Sequence, residues 1–268
     1  MHPVSRRRWE ELTTEEAGRL PATAVAVLPF ASIEQHGPHL PLNTDLLIAQ
    51  AVVDAALARL PPAIPALSLP TLPIGHSPEH GGFPGTVTAA PETLLALGRD
   101  VAGSLHRSGL RRIVLFNAHG GNPPILQLLA VELRTRLGML VAVPALWGAE
   151  GLPAGLVAPD EAAWGIHGGT VETSLILHLR PDLVRSDRIG AFASSAAGLD
   201  RAHCQLRVHG DSVLGWAAQD LNPAGVVGDA SRADAGLGRR ILDHAAGALA
   251  TLIEELHRLP ADWLKDRP

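Results

Sequence analysis

The chain has 268 residues, room for one large domain or two small ones at about 100–200 residues each. With 46% hydrophobic and 18% charged residues it can bury a sizeable core, which excludes a disordered, tail-rich protein. A net charge of -5 gives no electrostatic footprint for nucleic acid, and the single cysteine, Cys204, excludes a disulfide framework or a Cys-rich zinc module. No apolar run reaches the roughly 18 residues of a membrane span, and no apolar segment follows the basic N-terminal cluster Arg6-Arg-Arg8. A soluble, cytoplasmic protein is expected, without nucleic-acid or membrane partners.

In chain order, Ala24–Phe30 reads as a buried strand and Thr44–Leu60 as an amphipathic helix with Asp45 in its first turn. Ala63–Leu72 is extended and punctuated by proline. Pro91–Ser108 is a helix with proline where its missing N–H does no harm. Arg112–Phe116 is a strand, Pro123–Leu137 a helix and Met139–Ala145 a strand. Val171–Leu179 reads as a short buried helix and Ala233–Leu259 as a long amphipathic one, after an irregular stretch from Gly190 to Asp229. Alternating strands and helices imply an α/β fold with a mostly parallel sheet covered on both faces. With no repeat and no linker, residues 1–268 are expected to form one domain.

Ligands of open α/β sheets bind at the carboxyl ends of the strands, so the loops after the strands carry the functional signal. Four segments deliver histidine or carboxylate groups: Glu34-Gln-His36-Gly-Pro-His39 with Asp45 beyond it, Glu79-His80-Gly-Gly, Asn117-Ala-His119-Gly-Gly-Asn122, and His167-Gly-Gly-Thr-Val-Glu172. Glu34 and His36, two apart in extended chain, share one face. Mixed carboxylate and imidazole donors suit zinc, manganese or related divalent ions. Taken singly, Glu34 and Asp45 could cap or pair locally, Asn122 could cap a helix, and Glu172 could answer the helix dipole. Yet Glu172 sits in an otherwise apolar segment with Leu175, Ile176 and Leu177, where a carboxylate needs a partner.

Together these four motifs resemble the creatininase (creatinine amidohydrolase) family, strongly from about Leu28 to Asp187 and more weakly beyond. The resemblance implies a three-layer α/β/α sandwich, often assembled as a homohexamer. It implies a metal-dependent hydrolase of C–N amide bonds, whether cyclic amide or formamide, with a hydroxide bridging two ions as nucleophile. The ions would be Zn2+ or Mn2+, with Fe2+ a further candidate. Their ligands would match Glu34, His36, bridging Asp45 and His119. Creatininase proper carries a glutamate where this chain has Gly121, and Glu172 is the substitute expected as ligand or catalytic group. His167 is expected to donate a proton to the leaving nitrogen. Glu79, His80, Asn117, Trp147 and Trp164 are expected at the substrate, the tryptophans walling a small-molecule amide pocket. The alternatives are a peptidase on the same centre, as in the family's mycofactocin branch, and a metal-retaining scaffold without turnover.

Overall fold

The computed structural model describes residues 7–145, 151–210 and 212–265. After a short helix α1 (Thr14–Gly18) the chain runs β1 (Val25–Phe30), α2 (Thr44–Arg59), β2 (Ala66–Ser68), α3 (Pro91–Arg107), β3 (Arg112–Asn117), α4 (Pro123–Leu137) and β4 (Leu140–Ala142). The four strands form one parallel sheet in the order β2-β1-β3-β4, with β1 paired to β3 from Val25↔Arg112 to Phe30↔Asn117. Every residue of β1 and β3 is buried, as central parallel strands require. Side chains alternate between two cores. Val25, Val27, Val114 and Phe116 meet α2 and the C-terminal helix, whereas Ala26, Leu28, Phe30, Ile113 and Leu115 meet α3 and α4. The architecture is the three-layer α/β/α sandwich.

The two outer strands are shorter than their apolar runs. β2 stops at Ser68 because Pro70 cannot donate to a ladder, although Leu72 rejoins with a bridge to Phe30. β4 stops at Ala142, just before Pro144. From residue 151 onward come α5 (Pro159–Trp164), α6 (Thr170–Leu179), β5 (Ala191–Phe192), α7 (Ala196–Ala202), α8 (Ala218–Leu221), β6 (Gly228–Asp229) and α9 (Ala235–Arg258). Asp234 rather than Ala233 opens α9, its carboxylate accepting the Leu237 N–H at 2.9 Å.

The irregular stretch after Gly190 is folded. β5 and β6 pair antiparallel, and Ala196, Val208, Leu221 and Val227 form a small core of their own with Trp164 and Trp216 against it. Its return leg crosses the sheet's carboxyl edge, where Val227 bridges to His167. Among the described residues no helix is long and apolar enough to cross a membrane.

Candidate metal centre

Four loops deliver the predicted groups to one point. Glu34 and His36 follow β1, Asp45 lies in the first turn of α2, His119 follows β3, and His167 and Glu172 flank the start of α6; Glu79 and His80 sit in a single 3-10 turn, Pro78–His80. Glu34, His36, Asp45, His80, His119 and His167 are all buried. His119 Nδ1 stands 3.0 Å from Glu34 Oε2 and 3.3 Å from Asp45 Oδ2. The other Asp45 oxygen, Oδ1, is 3.0 Å from His36 Nε2, which is 3.8 Å from Glu172 Oε2. Glu34–Asp45–His119 and His36–His167–Glu172 are thus two separate triads of metal-donor atoms, and Asp45 reaches toward both.

Hydrogen bonds decide which ring nitrogens carry protons. His119 Nε2 lies 2.9 Å from the His76 carbonyl, which can only accept, so Nε2 is the N–H and the neutral ring points its Nδ1 lone pair at two carboxylates. His36 Nδ1 likewise meets the Glu34 carbonyl at 3.1 Å, leaving Nε2 as the lone pair facing Asp45 and Glu172. Lone pairs facing anions repel unless a cation sits between them. Glu34 Oε2 and Asp45 Oδ2 are buried with no hydrogen-bond partner, a costly state that a metal ion relieves. These donors fit two divalent ions.

The titration of the bare cluster carries the same message. Burial opposes charge on His36, but Asp45, Glu172 and Glu34 outweigh it and carry its pKa to about 9. His119 is likewise raised well above the usual range against its burial, chiefly by Glu34 and Asp45. Burial opposes ionisation of Glu34, yet the imidazoles, His119 foremost, hold it well below the carboxylate range. Without metal, protons on His36 and His119 take the place of the cations. Burial pushes Glu172 up to about 7 and His80 down to about 4, and it lowers His167 well below its ordinary value with help from His36 and His80.

Residues 10–253 match the model of the family described as Creatininase, creatinine amidohydrolase. The chain belongs to the creatininase family. It is 36% identical over 241 residues to a mycofactocin precursor peptide peptidase of Mycobacterium ulcerans, covering 86% of this chain and 85% of that one. It is 35% identical over 201 residues to a creatinine amidohydrolase of Pseudomonas putida, covering 69% and 75%. Among solved structures it resembles a manganese creatininase (TM-score 0.73, 29% identity, 95% and 100% covered) and a Zn-Zn glutamate-to-glutamine mutant of creatininase (TM-score 0.75, 28% identity, 95% and 99% covered).

Within this family the Gly121 position is telling. A Cβ there would stand 2.2 Å from the His76 carbonyl oxygen and 2.6 Å from His119 Nε2, so no side chain fits. Glu172 instead brings a carboxylate to the His36 side from the first turn of α6. Its Oε2 also accepts the Gly168 N–H at 2.5 Å, so the helix-terminus role and the approach to the centre belong to one side chain.

A cavity of about 450 Å3 opens over His119, His167 and Glu172. Its walls are mainly apolar, with Val143, Leu152, Val157, Ile166, Val171 and Trp216 among them. Of the described residues expected at the substrate only Asn117 borders it, and its side chain also holds the turn, donating to the His119 carbonyl at 2.6 Å. Glu79 and His80 lie outside the lining: Glu79 Oε1 is 3.7 Å from His119 Nε2 and His80 Nε2 is 3.4 Å from Glu34 Oε1, so both stand behind the ligand groups. Trp164 is also outside it, its indole N–H donating to Asp200 at 3.1 Å. Trp147 lies outside the described residues. Trp216 went unnoticed in the sequence because nothing local links the irregular stretch to the cavity.

Proposed function

We propose that this creatininase-family hydrolase is a binuclear metal-dependent amidase, and that its substrate is a peptide. The observation that carries the second half is the cavity. About 450 Å3 with mainly apolar walls would be left mostly empty by a small polar ring such as creatinine, whereas a peptide segment can fill it with side chains. The similarity to a mycofactocin precursor peptide peptidase, which extends over more of this chain than the similarity to creatinine amidohydrolase, supports the same reading.

In this reading Glu34, Asp45 and His119 hold one ion, and His36, Asp45 and Glu172 the other, zinc or manganese in each. Three carboxylates set -3 against the +4 of two divalent ions. Such ions supply a water nucleophile at neutral pH and polarise the amide carbonyl. The chain's own residues do the rest. His167 borders the cavity with Nε2–H donated to the Gln35 carbonyl at 2.6 Å, so its Nδ1 faces the centre as a base. Nδ1 takes the proton of the attacking water and returns it to the leaving nitrogen. The sequence expectation of His167 as donor thus becomes the second half of a two-way transfer. Apolar walls limit water around the reacting groups and strengthen these interactions. The family resemblance supports a homohexamer of single-domain chains.

The test is zinc- or manganese-loaded protein incubated with a mixture of short peptides, with cyclic amides and formamides alongside, read by mass spectrometry. Peptide cleavage abolished by chelation is expected. Turnover of creatinine with no peptide cleaved would overturn the peptidase reading, and turnover unaffected by chelation would overturn the metal centre.

A further inference from the structure

Gln35, between Glu34 and His36, aims its side chain away from the two metal-donor triads, and its amide orientation is unambiguous. Oε1 accepts the Gly37 N–H at 2.9 Å and Nε2 donates to the Gly225 carbonyl at 2.9 Å. Both partners are backbone groups of fixed polarity, so the amide cannot be turned over. Nε2 also lies 2.8 Å from His80 Nδ1. Because Nε2 can only donate, His80 Nδ1 must accept, and the neutral ring carries its proton on Nε2, aimed at Glu34 Oε1. The same residue's carbonyl receives the His167 Nε2–H, which turns the His167 lone pair toward the centre.

Side chain and backbone of one residue therefore set two neighbouring imidazoles in opposite senses. The rings of His80 and His167 are 4.2 Å apart, and both present their inward nitrogen to Glu34 Oε1, at 3.4 and 3.6 Å. The surroundings are built to hold Gln35. Gly225 has φ +79°, and a Cβ on it would meet Gln35 Oε1 at 2.4 Å; Gly37 has φ +69°, and a Cβ there would meet Val226 Cγ2 at 2.0 Å. Here the return leg of the irregular stretch has a task, bringing the Gly225 carbonyl to the amide.

We propose that Gln35 is a positioning residue that commits His80 to an N–H and His167 to a lone pair at the centre. His80 then cannot ligate a metal. It holds Glu34 Oε1 by a hydrogen bond and leaves Glu34 Oε2 for the ion shared with Asp45 and His119. That removes the third possible donor triad, Glu34–His80–His167, and limits the centre to two ions. His167, bordering the cavity, keeps the nitrogen that takes up a proton. The inference rests on the binuclear reading of the site.

The experiment is long-range proton–nitrogen correlation NMR of the zinc-loaded full chain with 15N-histidine, which distinguishes Nδ1–H from Nε2–H rings. His80 and His167 should both appear as Nε2–H in the wild type. Gln35→Glu keeps an acceptor for the Gly37 N–H but turns an oxygen toward His80 Nδ1, so His80 should switch to Nδ1–H or become doubly protonated. His167 should not change, because its partner is a backbone carbonyl that the substitution retains. Gln35→Met, which removes the donor without adding charge, should leave the His80 proton exchanging between both nitrogens. His80 found as Nδ1–H in the wild type, or unmoved in both variants, would overturn the proposal. Zinc counted on the same samples tests the binuclear reading separately: fewer than two ions in the wild type refutes that reading, whatever the tautomers show.

Discussion

A Cβ placed on Gly121 would stand 2.2 Å from the carbonyl oxygen of His76, the acceptor that fixes the His119 ring. The glycine is a condition for the His119 geometry as well as a missing ligand. Gly121→Ala should push the loop segment around His76 away from His119, at the cost of about 1–3 kcal/mol typical of overpacking. Thermal unfolding and metal analysis should show a less stable protein with a weakened Glu34–Asp45–His119 site. A variant with wild-type stability and metal content would mean that the loop yields freely.

Glu172 and His167 should separate cleanly. Glu172→Gln retains the shape and the bond from the Gly168 N–H but removes the charge offered to His36, so one metal and most turnover should be lost. His167→Asn should keep both metals and lose rate by about 10²–10⁴, the usual worth of a positioned proton-transfer group. Mass spectrometry for metal content and steady-state kinetics check the pair. Two tightly held metals in Glu172→Gln would remove Glu172 from the ligand set.

The sandwich was legible because its strands and helices carry strong local signals: a run such as Ala24–Phe30 can bury itself only between two layers. The convergence of Glu34, His36, Asp45 and His119 was legible because the ends of parallel strands necessarily share an edge, and Glu172 because a carboxylate in an apolar helix needs a partner. Polarity inside the site was not. Whether His80 faces the substrate or stands behind Glu34 depends on an amide at Gln35 and a carbonyl at Gly225, 190 residues apart in the chain. Trp164 stands outside the cavity lining for a similar reason, since its indole N–H donates to Asp200, 36 residues away in the chain.

The metal-free protein should lose stability as pH rises from about 6.5 to 9. His36, with a folded pKa of about 9, and His119, also raised, contribute stability that is complete below their unfolded value near 6.5 and disappears as pH passes through the folded one. For His36 alone the shift corresponds to something on the order of 3 kcal/mol. Glu172, raised by burial from 4.5 to about 7, acts in the same direction but at lower pH, its contribution fading between about pH 4.5 and 7. Zinc displaces these protons, so the loaded protein should not show the decline, and loading at pH 7 should release protons. Melting curves against pH, with and without metal, and calorimetry in two buffers of different ionisation enthalpy are the checks. Parallel pH profiles for both forms would contradict the cluster's titration.

Glu161 gave no sign of itself in the sequence, yet it fastens the segment that carries His167. Its buried carboxylate accepts the Thr170 N–H at 2.7 Å through Oε1 and the Asp229 N–H at 2.8 Å through Oε2. Gly169 and Gly228 pack against it so closely that a Cβ on Gly169 would lie 2.1 Å from Oε1. The carboxylate thereby joins the start of α6 to β6, beside the paired bonds between His167 and Val227. Glu161→Gln can satisfy only one of the two donors, because its NH2 must face the other. Leaving that buried N–H unpaired should cost about 1–3 kcal/mol. Loosening this joint should also lower turnover while leaving metal content intact, since the Glu161 carboxylate bonds to backbone N–H groups and, among the described residues, to no metal-donor side chain. Denaturant unfolding together with kinetics on the metal-loaded variant measures both. If Glu161→Gln unfolds at the wild-type midpoint, the carboxylate is dispensable to the joint and the His167 segment is held by its other bonds, those to Val227 and Gln35 among them.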